Sequence, residues 1–207
     1  MSKVTIQGDA SGTGIFTITS PNSNTDRTLV LPDEAGTVLT TAGVPASAMP
    51  AGSVLQVVSV TKTDTFTTTS TSYTTITGMT VTVTPSSVSN KVLVSFNLNA
   101  GVAGAAGAIR IYRNETAIAI GNAISEPADN RMTVNVYNGG DDSNSTPNFC
   151  MSVLDTPNTT SATTYTLRAG CVQGGGIIVV NDQTSQVRNQ NYSATTASTI
   201  TAMEIAG

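Results

Sequence analysis

Met79–Asn99, MTVTVTPSSVSNKVLVSFNLN, decides how the rest of the chain is read. Met79, Val81 and Val83 alternate with Thr80, Thr82 and Thr84. After the turn residues Pro85-Ser86-Ser87, alternation resumes with Val92, Val94, Phe96 and Leu98 on one face. A period of two sends successive side chains to opposite faces of a strand. Each run therefore reads as a strand with one buried apolar face.

The same signal spreads outward from this stretch. Upstream, GSVLQVVSVTKTD (Gly52–Asp64) carries a strand over Val54–Val60. Downstream, AIRIYRNETAIAIGNA sends Ile109 and Ile111 one way and Arg110 and Tyr112 the other, with Arg113-Asn114-Glu115 as a hairpin tip. MTVNVY, FCMSVLD, TYTLRAGCV, GIIVVN and TITAMEIAG continue the series. Roughly eight to ten strands over about 155 residues are spaced as sandwiches are. Only Gly101–Ala108 leaves room for a short helical piece, and each glycine there costs about 1 kcal/mol in a helix. The expected class is all-β.

Composition agrees. Of 207 residues, 39% are hydrophobic and only 11% charged, against roughly 25% charged in average domains. Thr, Ser, Asn and Gly take the place of charge. β-branched Thr, Val and Ile suit a pleated, half-buried surface. The net charge is -4 and the nine Lys and Arg are scattered, so no basic footprint for nucleic acid is present. The chain has no histidine, which removes Ser-His-Asp and Cys-His catalysis and most zinc sites. No cofactor and no enzymatic activity are expected. MSKVTIQGDASG is not a signal peptide, and no apolar run approaches the roughly 18 residues that span a bilayer. No membrane partner and synthesis in a cytoplasm are expected. Cys150 and Cys171, on neighbouring predicted strands, read as buried free thiols or as a pair facing across a hairpin.

The first forty residues differ. VTIQG, GIFTIT, RTLVLP and GTVLT are strand fragments, and GIFTIT is apolar on both faces, which calls for cover on both sides. Thr41–Gly52, TAGVPASAMPAG, marks a linker. The expected organisation is a β attachment or stalk segment over 1–45, a linker over 46–52 and a head domain over 53–207.

The segment Arg27–Thr40, RTLVLPDEAGTVLT, resembles the RTLTLPDAAGTLLT phrase near the start of many bacteriophage tail-fibre and virion-fibre proteins. PAGSVLQVVS, VTPSSVSNKVLVSFNLN, LDTPNTTSATTYTLRAG and STITAMEIAG resemble phrases of the C-terminal heads of such fibres. Those heads are similar to trimeric jelly rolls of the tumour-necrosis-factor and complement-component type. The resemblance implies a jelly-roll head and a homotrimer. It also implies a virion location, and an N-terminal segment docked on another virion protein.

Self-association also answers a physical need. Three copies could share Ile15, Ile18, Leu29, Leu31, Val38 and Leu39 as the core of a stalk. Burying six such side chains is worth roughly 9–18 kcal/mol per chain, against roughly 1–2 kcal/mol of backbone entropy per ordered residue. An isolated forty-residue arm would be marginal or unfolded.

Other motifs read plainly. Gly101, Gly104 and Gly107 form GxxGxxG with no following lysine, which fits a flexible loop or close-packed turn rather than a phosphate loop. Gly174-Gly175-Gly176 reads as a hairpin turn. Asp141, Asp142 and Asn144 cluster oxygens without the EF-hand pattern, so an exposed acidic loop is expected rather than a metal site. Glu126 with Asp129, and Asp155 with Asp182, are the remaining carboxylate pairs that geometry must judge. Loops on a rigid scaffold carry recognition, so Asp141, Asp142, Asn144, Gln183, Arg188, Gln190 and Tyr192 are the candidates to face a host glycan or protein receptor. The expected function is a non-enzymatic virion fibre, with a capsid decoration or head-fibre protein as the alternative.

Overall fold

The computed structural model describes residues 11–15, 17, 19, 22–26, 28, 44, 46–104, 106–122, 131–136, 145–172, 174–184 and 195–207. The chain divides into two units, Met1–Thr40 and Thr41–Gly207. Among its described residues the second is all-β apart from one short 3-10 turn at Ala46–Ala48.

Its strands among the described residues are β1 (Val54–Lys62), β2 (Phe66–Thr68), β3 (Thr74–Val83), β4 (Lys91–Ala103), β5 (Gly107–Arg113) and β6 (Thr116–Ile118). They continue with β7 (Val134–Val136), β8 (Asn148–Asp155), β9 (Thr163–Cys171), β10 (Ile177–Val180) and β11 (Ser198–Ile205). One antiparallel sheet runs β1-β11-β4-β10-β2, with β8 on β4 as well; the other runs β3-β9-β5-β6, with β7 also on β5. The long β4 holds β8 along Val92–Asn99, β11 along Lys91–Asn97 and β10 along Ala100–Ala103.

The two alternating runs that opened the reading are strands β3 and β4, and they do not pair with each other. They lie in opposite sheets and point their apolar faces at a common core. Ile76, Met79, Val81 and Val83 from β3 meet Val92, Val94, Phe96 and Leu98 from β4. Ile109 and Ile111, Tyr165 and Leu167, and Ile200 and Ala202 complete it from both sheets. The Ser86–Asn90 turn is thus a crossing between layers.

Polar side chains bolt the two layers at one place and pin the strands of the six-stranded sheet to one another at a second. Arg113 of β5 donates to both Asp155 oxygens at 2.9 and 3.0 Å, and Tyr165 of β9 donates to Asp155 Oδ2 at 2.8 Å. At the other end Asn181, fully buried with φ +62°, donates through Nδ2 to the carbonyls of Lys62 and Asp64. Its Oδ1 accepts from the Ser198 hydroxyl at 2.6 Å.

Several expectations need correction. Gly101–Ala108 has no helical piece: β4 continues to Ala103 and β5 begins at Gly107. The glycines serve close packing, since a Cβ on Gly104 (φ +75°) would lie 2.5 Å from the Gly175 carbonyl oxygen. Gly174–Gly176 is a turn between sheets rather than a hairpin, because β9 and β10 pair with different partners. Cys150 and Cys171 sit in different sheets as free thiols; Cys171 is buried, but Cys150 is exposed because its row on β8 faces away from the core.

Candidate assembly face

The two sheets differ in what they turn outward. On the β3-β9-β5 sheet the outer face is polar. Thr80 and Thr82 pair through their hydroxyls with Thr166 and Thr164, at 3.2 and 2.9 Å. Arg110 stacks on Tyr73 at 3.9 Å and Arg168 on Tyr112 at 4.1 Å. Arg168 also meets Glu115 at 2.7 Å. Such a face is polar and largely self-paired.

The outer face of β1-β11-β4-β8 is different. The strand registers line up Val57, Met203, Leu93 and Leu154 as one row across all four strands. Beside it lies Val54, Ile205 and Lys91. Val54, Val57 and Leu154 are 51%, 56% and 54% exposed; Met203, Leu93 and Ile205 are half-buried. The next rows are small and uncharged: Ser59, Thr201, Ser95 and Ser152, then Thr61, Thr199, Asn97 and Cys150. The far end closes with amides, where Asn148 Nδ2 donates to Asn97 Oδ1 and, at 3.1 Å, to Asn99 Oδ1. Lys91 is the one charge on this face among the described residues. Scattered surface apolar residues are ordinary, whereas a contiguous apolar row on a charge-poor sheet makes this face a candidate interaction surface.

The edge of this face is held rigid by a buried carboxylate. Glu204 of β11, 2% exposed, accepts at Oε1 from the backbone N–H and hydroxyl of Ser86 at 2.6 and 2.8 Å, and from Asn90 Nδ2 at 2.6 Å. Burial pushes its pKa up, but the hydrogen bonds from Ser86 and Asn90 outweigh this and hold it below the usual value.

Residues singled out from sequence fall as follows. Ile15 is 94% exposed in the single chain. Ile18, Leu29, Leu31, Val38 and Leu39 lie outside the described residues, as do Asp141, Asp142, Asn144, Arg188, Gln190 and Tyr192. Gln183 is corrected: at 3% exposure it is buried beside Asp182 and does not face a receptor. Asp155 is committed to Arg113 and Tyr165, and Asp182 Oδ1 accepts from the Gln183 N–H at 2.9 Å. Glu126 and Asp129 lie outside the described residues. Among the described residues no three of His, Cys, Asp and Glu gather as metal ligands. A pocket bordered by Tyr73, Ala108, Met132 and Cys171 has about 50 Å³, far below the roughly 300–1,000 Å³ of small-molecule sites.

Sequence reasoning missed this apolar face. Its signal was present as Leu93, Met203, Ile205 and Leu154, apolar residues on the side of each strand opposite the core. Only the register brings them into one row.

Set against known proteins, the chain matches no family model and no curated protein.

Proposed function

We propose that this chain is a non-enzymatic structural protein of a bacteriophage virion, a homotrimeric fibre or short appendage. Residues 53–207 form its head, and residues 1–45 attach it to another virion protein. The observation that carries this reading is the outer face of β1-β11-β4-β8, an apolar row on a nearly uncharged sheet in which Val54, Val57 and Leu154 stand more than half exposed. Six partly exposed side chains there offer roughly 5–9 kcal/mol per chain on burial against copies. The polar face of the opposite sheet offers no comparable gain, so association selects one side of the molecule. The strand order β1-β11-β4-β8 against β3-β9-β5-β7 supports a jelly roll, in which eight strands wind as two Greek keys. The fibre-like phrases at Arg27–Thr40 and Pro50–Ser59 support the virion setting. The head contacts a host-surface glycan or protein.

Sedimentation of the purified protein tests the assembly: a trimer is expected, and a stable monomer at micromolar concentration overturns it. Fluorescent protein mixed with host cells and with bare capsids tests the role. Binding to cells is expected, and binding to capsids alone replaces host attachment with shell decoration.

A further inference from the structure

Resting on the trimeric reading above, we propose that neighbouring copies are joined through their backbones. The free edge of β8 in one copy pairs antiparallel with the free edge of β1 in the next, with Leu154 opposite Val57, Ser152 opposite Ser59 and Cys150 opposite Thr61.

Both edges are available. Among the described residues β1 pairs only with β11, and β8 only with β4. Exposed edges are usually guarded by charge, proline, bulges or short length. Here β2, β6 and β7 are three residues each, and β3 is broken by a register shift between Thr75 and Thr80. β8 has no charge or proline from Asn148 to Leu154, and β1 has none from Val54 to Thr61. The β1 register shift lies before Gln56, outside the paired stretch.

The hydrogen-bonding phase fits. Ala100 N–H donates to the Pro147 carbonyl at 3.1 Å, so Phe149, Met151 and Val153 turn their backbone groups to β4. Cys150, Ser152 and Leu154 then turn theirs outward. Ala206 N–H donates to the Ser53 carbonyl at 2.9 Å, which sets Ala202 and Ile200 facing their partners Val58 and Val60. Val57, Ser59 and Thr61 are left facing out. All six outward residues carry their side chains on the assembly face. Because β1 and β8 are antiparallel within one sheet, rotation about a threefold axis brings them together antiparallel. The row Val57, Met203, Leu93, Leu154 then runs on into the next copy's Val57.

The dimensions fit as well. Four strands at roughly 4.8 Å make a wall about 19 Å wide. Three such walls closed edge to edge stand about 5.5 Å from their axis, near half of the roughly 10 Å between packed sheets. One layer of side chains from each copy fills that prism. The closure pairs both long edges of this sheet and leaves only the three-residue β2 at its margin.

The test uses native Cys150 and one substitution, Thr61→Cys. Within a chain these positions lie three strands apart, about 14 Å, beyond the roughly 7 Å limit for a disulfide. Across the proposed joint their Cα atoms sit about 5.5 Å apart. Mild air oxidation is expected to give a covalent trimer on a non-reducing gel, reversed by dithiothreitol, while wild type gives none. Ser59→Cys with Ser152→Cys, in a Cys150→Ser background, is expected to behave alike. Failure of both pairs to cross-link in protein that sediments as a trimer overturns the edge pairing and leaves the trimeric reading intact. A monomeric wild type overturns both.

Discussion

Asn90 Nδ2 donates to Glu204 Oε1 at 2.6 Å, tying the turn that crosses between the sheets to β11, an inner strand of the sheet that carries the apolar row. The same oxygen holds Ser86. Hydrogen bonds to a buried charge are worth about 1.5–3 kcal/mol, so Glu204→Gln is expected to lower the melting temperature by roughly 4–8 °C at neutral pH. The pH dependence has a definite sign. The folded pKa is depressed below 4.5, so the stabilisation is complete above 4.5 and is lost as pH falls through the folded value. Melting curves from pH 6 to pH 3 (roughly the window in which carboxylates titrate) should show this acid-sensitive component in wild type and not in the variant.

Tyr165 responds at the opposite end of the scale. Burial, then its hydrogen bond to Asp155, pushes the phenol well above its ordinary value of 10. The neutral phenol's contribution is present below pH 10 and is lost as pH rises toward the folded value. Ultraviolet titration should show one of the five tyrosines resisting ionisation until the protein unfolds. Tyr165→Phe should abolish that late step and cost about 1–2 kcal/mol in denaturant melts.

Met203→Asp places a carboxylate in the centre of the apolar row without entering the core. The variant is expected to fold with near-native circular dichroism and to sediment as a monomer. A trimer of unchanged stability would mean that the row is not the contact.

Gly104→Ala sets a methyl group 2.5 Å from the Gly175 carbonyl oxygen at φ +75°. The backbone strain alone costs about 1–3 kcal/mol. Chemical denaturation should show a lower midpoint with an unchanged slope.

Much of the fold was legible because one face of most strands meets a core. Thr80, Thr82 and Thr84 against Met79, Val81 and Val83 leave little choice of register. What was not legible depended on distant partners. Nothing local says that β3 and β4 belong to different sheets, or that β11 enters between β1 and β4. Gly101–Ala108 misled because small residues lack periodicity, and their reason for being small is the approach of Gly175 and Ile178. Gln183 misled because Asn-Asp-Gln looks like a loop tip, whereas Asn181 roots that segment among buried polar partners. The assembly face was hidden for a related reason: an apolar side chain opposite the core face looks like noise until four strands are laid side by side.

The central position of β11 bears on biogenesis. As the chain emerges from the ribosome, β1 and β4 must each wait for a neighbour that arrives roughly a hundred residues after β4. Such distant pairings fold slowly. Synthesis arrested before Ser198 therefore leaves β1 and β4 without the strand that joins them, and the core without Ile200 and Ala202.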